Sequence, residues 1–191
     1  MAVIALVGNK GGAGKTTLAV NLATTLARKG PTVVFDADPR VIDTARGLEE
    51  AFRRDAEGFG HIVIDCPPSV HAPQTHTALE LSDIALIPVQ PSPLDLWATV
   101  HIEQAIERAR ETNPGLRALL VINQLEPRTR LSRLIRQALA ELELAAAETA
   151  IRRRAVYRAS VLEGKSVFDM GRSGEAAAAE IQNLISEVFI A

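Results

Sequence analysis

Short apolar runs alternate with longer amphipathic runs along the chain. The apolar runs are AVIALVG, TVVFDAD, HIVIDCP, DIALIPV and LRALLVINQ. Runs that are apolar throughout are typical of strands buried on both faces of a parallel sheet. The intervening runs, such as LDLWATVHIEQAIERARE, predict helices. The alternation therefore predicts one doubly wound α/β domain over residues 1–191, with a mostly parallel sheet and helices on both faces.

The closing segment predicts a helix that packs on this sheet. EAAAAEIQNLISEVFIA places four apolar residues at helical spacing: Ile181, Leu184, Ile185 and Val188. Such a face suits a sheet or a membrane surface. Membrane-surface helices usually carry Lys or Arg on the polar face, whereas the only charged residues here are glutamates. We therefore expect packing on the sheet and no membrane partner.

Composition is typical of one globular domain. Of the 191 residues, 47% are hydrophobic and 23% charged, with a net charge of -2. The single cysteine, Cys66, excludes a disulfide framework within the chain and any CxxC metal site, and suits a reducing compartment. No leader and no apolar run of about 20 residues is visible. We expect a cytoplasmic protein.

The stretch GNKGGAGKTT, residues 8–17, predicts a phosphate-binding loop between the first strand and the first helix. Glycines let consecutive backbone N–H groups turn toward phosphate oxygens, Lys neutralises charge and Ser or Thr binds Mg²⁺. The residues expected to bind the nucleotide are Gly11, Gly12, Ala13, Gly14, Lys15, Thr16 and Thr17. A second lysine, Lys10, is surplus to this pattern.

Acidic residues follow two predicted strands. TVVFDADPR ends in Asp36 and Asp38, and HIVIDCPPS ends in Asp65. A phosphate site needs a metal carboxylate at a neighbouring strand end. We therefore expect Thr16, Asp36 and Asp65 to hold the metal.

Together these motifs resemble the ParA/MinD family of deviant Walker A ATPases, in particular the small ParA-type partition and positioning ATPases. The resemblance rests on KGGAGKTT, DADP, IDCPPS and IPVQPSPLDL in this order, over roughly residues 3–124, and on SVLEGKSVFDM, residues 160–170. It implies a P-loop NTPase fold, ATP and Mg²⁺ as cofactors, and a homodimer formed with ATP.

The resemblance also implies roles for individual residues. Lys10 would reach the phosphates of the nucleotide in the second subunit, and Lys15 would bind those of its own. Asp38 would orient the attacking water, and Asn123 would face the adenine. Hydrolysis would be weak alone and stimulated by a small ParB-like or adaptor partner, so that the protein distributes a plasmid or a protein-based cellular cargo over the nucleoid.

The sequence departs from this pattern at two places. Arg40 stands where relatives usually have Gln after the Asp-Pro pair, and only 27 positions separate Asp38 from Asp65. We expect one peripheral strand fewer than in typical relatives. Since the first strand starts at about Ala2, we also expect no N-terminal operator-binding domain.

Basic residues are concentrated between residues 106 and 165, with twelve Lys+Arg against seven Asp+Glu. Nonspecific DNA binding requires phosphate-directed positive charge and little else. The resemblance favours such binding over a merely solvated face, and the candidate residues are Arg130, Arg133, Arg152, Arg153, Arg154 and Arg158. Leu131, Leu134, Ile135, Ala138 and Leu142 are expected to form the apolar face of the helix that carries the first two.

Two other functions and four further residues were also considered. A ligase of the dethiobiotin synthetase type and a MinD-like membrane switch are the alternative functions. His71 and His76 are interpreted as loop residues, and Trp97 and Tyr157 as core or interface residues.

Overall fold

In the computed structural model, which describes residues 1–139 and 142–190, six parallel strands alternate with seven α-helices. Eight side chains within these ranges are not described: Leu94, Leu96, Arg130, Leu131, Ser132, Arg133, Arg136 and Ile190. The strands are β1 (Ala2–Leu6), β2 (Thr32–Asp36), β3 (His61–Asp65), β4 (Ile84–Val89), β5 (Arg117–Ile122) and β6 (Ala145–Ala146). The helices are α1 (Lys15–Ala27), α2 (Ala45–Asp55), α3 (Pro73–Leu81), α4 (Pro93–Thr112), α5 (Arg130–Leu139), α6 (Ala155–Leu162) and α7 (Glu175–Ile190).

The strand order of the sheet is β2-β3-β1-β4-β5-β6, and every pairing is parallel. The five apolar runs form β1 to β5, as predicted, whereas the two-residue strand β6 has too short a pattern to be recognised in the sequence. The chain passes from β2 to β3 through α2 alone. This short connection agrees with the spacing between Asp38 and Asp65.

Two apolar layers cover the sheet. Side chains of α2, α3, α4 and α5 pack on one face, and those of α1, α6 and α7 pack on the other. Ile4, Leu6, Ile62 and Ile64 are completely buried, as residues of strands covered on both faces should be. Burying a side chain of this size stabilises a fold by about 1.5–3 kcal/mol.

The C-terminal helix packs as the sequence predicts. Ile181, Leu184, Ile185 and Val188 of α7 are buried in the same layer as α1. In addition, the guanidinium of Arg117 donates to the carbonyl oxygen of Val188 at 3.0 Å. The last helix therefore belongs to the core.

One prediction of local structure is wrong and another is partly wrong. His76 lies in α3, where its Nδ1 is 3.7 Å from Glu80 Oε1, and only His71 lies in a turn. In α5, Ile135 is buried as predicted, but Leu134 is half exposed, and Leu139, which was not assigned to the apolar face, is buried. Leu134 and Ile135 are adjacent, and helical spacing alone does not say which of them faces the core. Leu142, beyond the end of α5, packs against the core as expected.

The register of the strands brings the polar strand ends together. Asp36 lies beside Asp65 in the β2–β3 pair, and Leu6 lies beside Asp65 in the β1–β3 pair. The carboxyl ends of parallel strands share one edge of the sheet, which is where such folds bind ligands. The glycine-rich loop after β1 and the carboxylates of β2 and β3 therefore meet there.

Gly174 permits the close approach that starts α7, and its replacement by alanine is predicted to destabilise the fold. A Cβ at Gly174 would lie 1.9 Å from the carbonyl oxygen of Val167. We expect Gly174→Ala to lower the free energy of unfolding by about 1–3 kcal/mol in urea titrations. Gly115→Ala is the control, because its Cβ would meet only Asn113 Oδ1, at 3.8 Å. Equal effects of the two substitutions would contradict the prediction.

Candidate active site

The loop between β1 and α1 has the backbone geometry of an anion site. Gly12 and Gly14 adopt φ values of 81° and 94°, which favour glycine, and a Cβ at Gly14 would lie 2.2 Å from Asn123 Nδ2. Helix α1 begins directly after the loop, at Lys15, and no side chain caps it. Because the first N–H groups of a helix have no intrahelical acceptor, they are available to an anion at this end.

Amide side chains from neighbouring strand ends hold the loop in place. Asn123 Nδ2 donates to the carbonyl oxygen of Ala13 at 2.6 Å. Gln90 Nε2 and Gln124 Nε2 both donate to the carbonyl oxygen of Gly12, at 2.8 and 3.2 Å. Gln90 and Gln124 were missed in the sequence, although each follows the carboxyl end of a predicted strand. Asn123 thus positions the loop, and its predicted contact with an adenine remains a prediction.

Lys15 and Asp65 are both buried at this sheet edge, with exposures of 7% and 8%. Burial lowers the pKa of the Lys15 ammonium, while the nearby Asp65 carboxylate opposes this shift. Burial likewise raises the pKa of Asp65, and the hydrogen bond from Thr16 and the charge of Lys15 oppose that shift. Each group therefore stabilises the charged form of the other at a position where little water is available to solvate it.

The Thr16 and Asp65 side chains fit a divalent cation. The Thr16 hydroxyl donates to Asp65 Oδ2 at 2.5 Å, and Asp65 Oδ1 is buried without a hydrogen bond from any described residue. Mg²⁺ prefers oxygen ligands, keeps several waters and is usually held by one or two carboxylates together with phosphates. The described residues contain no cluster of three or more His, Cys, Asp or Glu side chains that suits a metal. The oxygens of Thr16 and Asp65 therefore suit a Mg²⁺ ion that also binds phosphate oxygens and water.

The Asp38 carboxylate accepts hydrogen bonds from a neighbouring arginine. Arg40 Nε and Nη2 donate to Asp38 Oδ1 and Oδ2 at 3.0 and 3.1 Å, and the Arg40 backbone N–H donates to Oδ1 at 2.9 Å. These bonds lower the pKa of Asp38 to about 2. The backbone N–H of Asp38 in turn donates to Asp36 Oδ1 at 3.0 Å. The unusual Arg40 therefore acts directly on the carboxylate expected to orient water.

The surplus lysine contacts a carboxylate of α4. Lys10 Nζ lies 3.3 Å from Asp95 Oδ1, and the side chains are 52% and 8% exposed. Asp95 Oδ2 is buried and accepts no hydrogen bond from a described residue. Lys15 Nζ points back toward the loop, 3.3 Å from the carbonyl oxygen of Lys10. The two lysines of one loop thus have different environments, one buried in the site and one at its rim.

A cavity of about 440 Å³ opens beside the loop. The residues that line it include Gly14, Thr17, Asn123, Tyr157 and Leu162. Tyr157 is buried and donates from its hydroxyl to the carbonyl oxygen of Ala177 at 3.3 Å. The position next to the loop and the largely apolar wall suit the base and sugar of a nucleotide.

Four arginines proposed for DNA binding also line this cavity, namely Arg152, Arg153, Arg154 and Arg158. Arg153 pairs with Glu126 at 2.7 Å, and Arg154 pairs with Glu180 at 2.6 Å. Arg152 lies 3.6 Å from Glu180. Of the four, only Arg158 forms no ion pair with a described residue. The side chains of Arg130 and Arg133, the other two candidates, lie outside the described residues. DNA binding by these arginines remains a prediction.

A parallel sheet that carries a glycine-rich strand-to-helix loop, a buried lysine and strand-end carboxylates defines a nucleotide-binding α/β domain of the P-loop type. The chain belongs to the CobQ/CobB/MinD/ParA nucleotide binding domain family, whose model matches residues 4–168. Family and fold therefore confirm the resemblance seen in the motifs.

Individual relatives extend over nearly the whole chain. The Maintenance of carboxysome distribution protein A of Halothiobacillus neapolitanus is 38% identical over 206 residues, covering 97% of this chain and 95% of the relative. An ATP complex of Cyanothece McdA has a TM-score of 0.78 at 13% identity and covers 100% and 97% of the two chains. A Mycobacterium smegmatis cobyrinic acid a,c-diamide synthase with an ATP analogue and magnesium has a TM-score of 0.78 at 18% identity, covering 97% and 94%. At these identities the two structures show a shared fold.

None of the described helices combines the length and the apolar character required to span a bilayer.

Arg40→Gln is predicted to raise the pKa of Asp38 from about 2 toward its ordinary value of 3.8, because it removes the guanidinium hydrogen bonds. Carboxyl ¹³C NMR titration of aspartate-labelled protein measures this shift. Since the folded pKa lies below the unfolded one, the pair adds stability above about pH 4 and loses it as the pH falls toward 2. Arg53→Gln, which removes the partner of Glu49 on α2, should leave Asp38 unchanged. An Asp38 pKa that stays near 2 in Arg40→Gln would contradict this assignment.

Proposed function

We propose that this chain is a weak ATPase that forms an ATP-dependent dimer on nonspecific DNA and positions a cargo. The observation that carries the proposal is the contrast between the two lysines of the loop. Lys15 is buried within its own site, whereas Lys10 is half exposed at the rim. A cation at the rim of its own site is accessible to a nucleotide that a second copy of the chain binds.

In the proposed site, ATP occupies the loop and the adjoining cavity. The N–H groups of residues 11–17 and the Lys15 ammonium bind the phosphates, and Asn123 fixes the loop. Thr16 and Asp65 hold Mg²⁺, with Asp36 on the neighbouring strand. When bound there, the ion would supply positive charge against the charge that develops on the phosphates. Two solved structures of this fold contain ATP or an ATP analogue, which supports the assignment.

Asp38 orients the attacking water in this proposal. In the structure Arg40 already donates three hydrogen bonds to it. A carboxylate has about four lone-pair sites, so one position remains for water. An incomplete set of charges around the transferred phosphoryl group accounts for weak hydrolysis by one subunit alone.

The second subunit completes this set of charges. Phosphoryl transfer is catalysed mainly by positioning and charge stabilisation, and a cation supplied by another chain contributes strongly. Lys10 must leave Asp95 to reach the partner nucleotide, which links dimerisation to a change within each chain. An adaptor protein of the ParB-like kind then stimulates hydrolysis and releases the dimer from the nucleoid.

The proposed cargo is a protein-based cellular body. The carboxysome-distribution name of the 38% identical relative favours a protein-based cellular body over a plasmid. Because the relative aligns over almost the whole chain, the comparison applies to the entire domain rather than to the loop alone.

Lys10→Ala is predicted to separate binding from stimulated hydrolysis. ATP affinity measured by calorimetry should remain within about threefold, because Lys15 and the loop N–H groups hold the nucleotide. Partner-stimulated phosphate release should fall by about 10³-fold or more, as when a trans-acting cation is removed. Lys15→Ala should instead abolish binding. Lys165→Ala, an exposed lysine paired with Glu163, is the control and should change neither quantity. Full stimulated turnover in Lys10→Ala would overturn the trans role.

Arg130→Ala together with Arg133→Ala is predicted to weaken ATP-dependent retention on DNA of arbitrary sequence. Each lost phosphate contact should lower the slope of log affinity against log salt by about 0.9, measured in gel-shift titrations. Arg46→Ala with Arg53→Ala removes the same charge from α2, where both arginines pair with glutamates, and should have little effect. Equal losses in the two double variants would assign the effect to net charge rather than to α5.

A synthetase is the second candidate, because one of the solved structures with this fold is a cobyrinic acid a,c-diamide synthase. Such an enzyme turns over ATP only with its carboxylic acid substrate. ATP turnover stimulated by DNA and a protein adaptor would favour the positioning ATPase.

A further inference from the structure

We propose that a small cavity between α3 and α4 binds a phosphate-sized oxyanion, with Arg108 as its main ligand and His71 and His101 beside it. We call it the histidine cavity. Five polar side chains that line it define it: His71, His76, His101, Gln104 and Arg108. None of these residues takes part in the proposed ATPase reaction, so the site is independent of the function proposed above.

Three of the four histidines of the chain converge on the histidine cavity. They come from different segments: His71 from the turn before α3, His76 from α3 and His101 from α4. The ring centroids of His71 and His101 lie 6.1 Å apart, with 65° between the ring planes. His101, Gln104 and Arg108 share one side of α4, because residues three, four and seven positions apart lie on one face of a helix. The fold therefore gathers polar groups from both helices at one place.

Most of these side chains offer hydrogen-bond donors that have no partner. Four of them form no hydrogen bond or ion pair with any described residue, namely His71, His101, Gln104 and Arg108. A guanidinium carries five N–H donors and no acceptor, and an imidazole has at least one N–H donor whether it is neutral or protonated. The planar guanidinium also matches the geometry of a phosphate or a carboxylate. The unpaired donors therefore favour an anionic ligand.

Negative charge near the histidine cavity is already engaged. Glu80 Oε1 lies 3.7 Å from His76 Nδ1 and accepts a hydrogen bond from the Thr112 hydroxyl at 3.4 Å. No Asp or Glu among the described residues lines the cavity itself. The lining thus carries the positive charge of Arg108 without a described carboxylate to repel an anion.

Size and charge argue against other ligands. The cavity has a volume of about 100 Å³, which equals the share of about three water molecules in the liquid. This volume suits one tetrahedral oxyanion and is too small for a nucleotide. Three histidines also suggest a metal, but within the described ranges no group of three or more His, Cys, Asp or Glu side chains could hold one, and the Arg108 guanidinium repels a cation. The expected ligand is inorganic phosphate or the phosphate end of a small monoester.

The histidine cavity is a neighbour of the nucleotide site and not a part of it. Val70, which is buried and also lines the cavity, donates from its backbone N–H to Asn9 Oδ1 in the phosphate loop at 3.5 Å. His71 follows directly and lies six positions after Asp65. A test with phosphate must therefore keep the loop occupied by another ligand.

The ring signals of the four histidines measure binding at the cavity directly. With ADP and Mg²⁺ present to fill the loop, inorganic phosphate at constant pH and ionic strength should shift the ring ¹H–¹³C NMR signals of His71, His76 and His101 along one saturable curve. His61 is the internal control, because it packs against Phe189 with 6.0 Å between ring centroids and should not respond. Equal shifts of all four histidines, or shifts that stay linear in phosphate concentration, would overturn the proposal.

Substitution of the main ligand provides the second measurement. Arg108→Gln should weaken phosphate binding by about tenfold or more, because it removes charge-assisted hydrogen bonds, while the circular dichroism stays unchanged. Arg46→Gln is the matched control, since it removes an equally charged, exposed arginine from α2 and should retain the wild-type affinity. Equal affinities of the two variants would contradict the role of Arg108.

Glycerol 3-phosphate distinguishes the two sources of the ligand. Binding at least tenfold weaker than that of inorganic phosphate would identify the free ion, whereas equal or tighter binding would identify the phosphate end of a monoester. Saturable shifts of the same histidines with Zn²⁺ or with a short DNA duplex, and with neither phosphate, would overturn the proposal.

Discussion

The buried pair of opposite charges at the carboxyl edge of the sheet is the constraint on which the site depends. Burial lowers the pKa of Lys15 and raises that of Asp65, so desolvation opposes the charged form of each, and the charge of the other group opposes both shifts. Their mutual attraction requires β1 to lie beside β3, and the parallel register provides this arrangement. The same register brings Asp36 next to Asp65. The electrostatics of the site are therefore inseparable from the order of the strands.

The loop above this pair is held by side chains distant in sequence. Three amides, from Gln90, Asn123 and Gln124, bind two of its carbonyl oxygens. A loop fixed in this way presents its N–H groups in one arrangement, which lowers the entropic cost of binding a phosphate chain. By contrast, Lys10 pairs with the buried Asp95 from a half-exposed position, and Asp38 pairs with the exposed Arg40. An ion pair with a solvent-exposed partner contributes little, so Lys10 and Arg40 are the charged groups of the site that rearrange most readily.

The interactions of individual charged residues were only partly predictable. It was predictable that the loop glycines, Lys15, Thr16 and the strand-end carboxylates lie together, because phosphate binding demands particular residue types at fixed spacing. The arginines at residues 152–154 were predicted to bind DNA, but in the structure they form ion pairs with Glu126 and Glu180. Those partners lie 26 to 28 positions away along the chain, and no local pattern indicates them. Counting basic and acidic residues along the sequence therefore overestimated how many arginines of this cluster are unpaired.

The sequence by itself determined the alternation of strands and helices, the short connection between Asp38 and Asp65, and the chemistry of the loop. Local periodicity and motif spacing carry that information, because they reflect which faces are buried and which backbone angles are allowed. Only the tertiary structure decided that Asn123 holds the loop, that Lys10 rests on Asp95 and that Trp97 faces outward. Those outcomes depend on contacts between distant segments and on which side of a helix the rest of the protein covers. Both are properties of packing, which the order of residues along one helix does not specify.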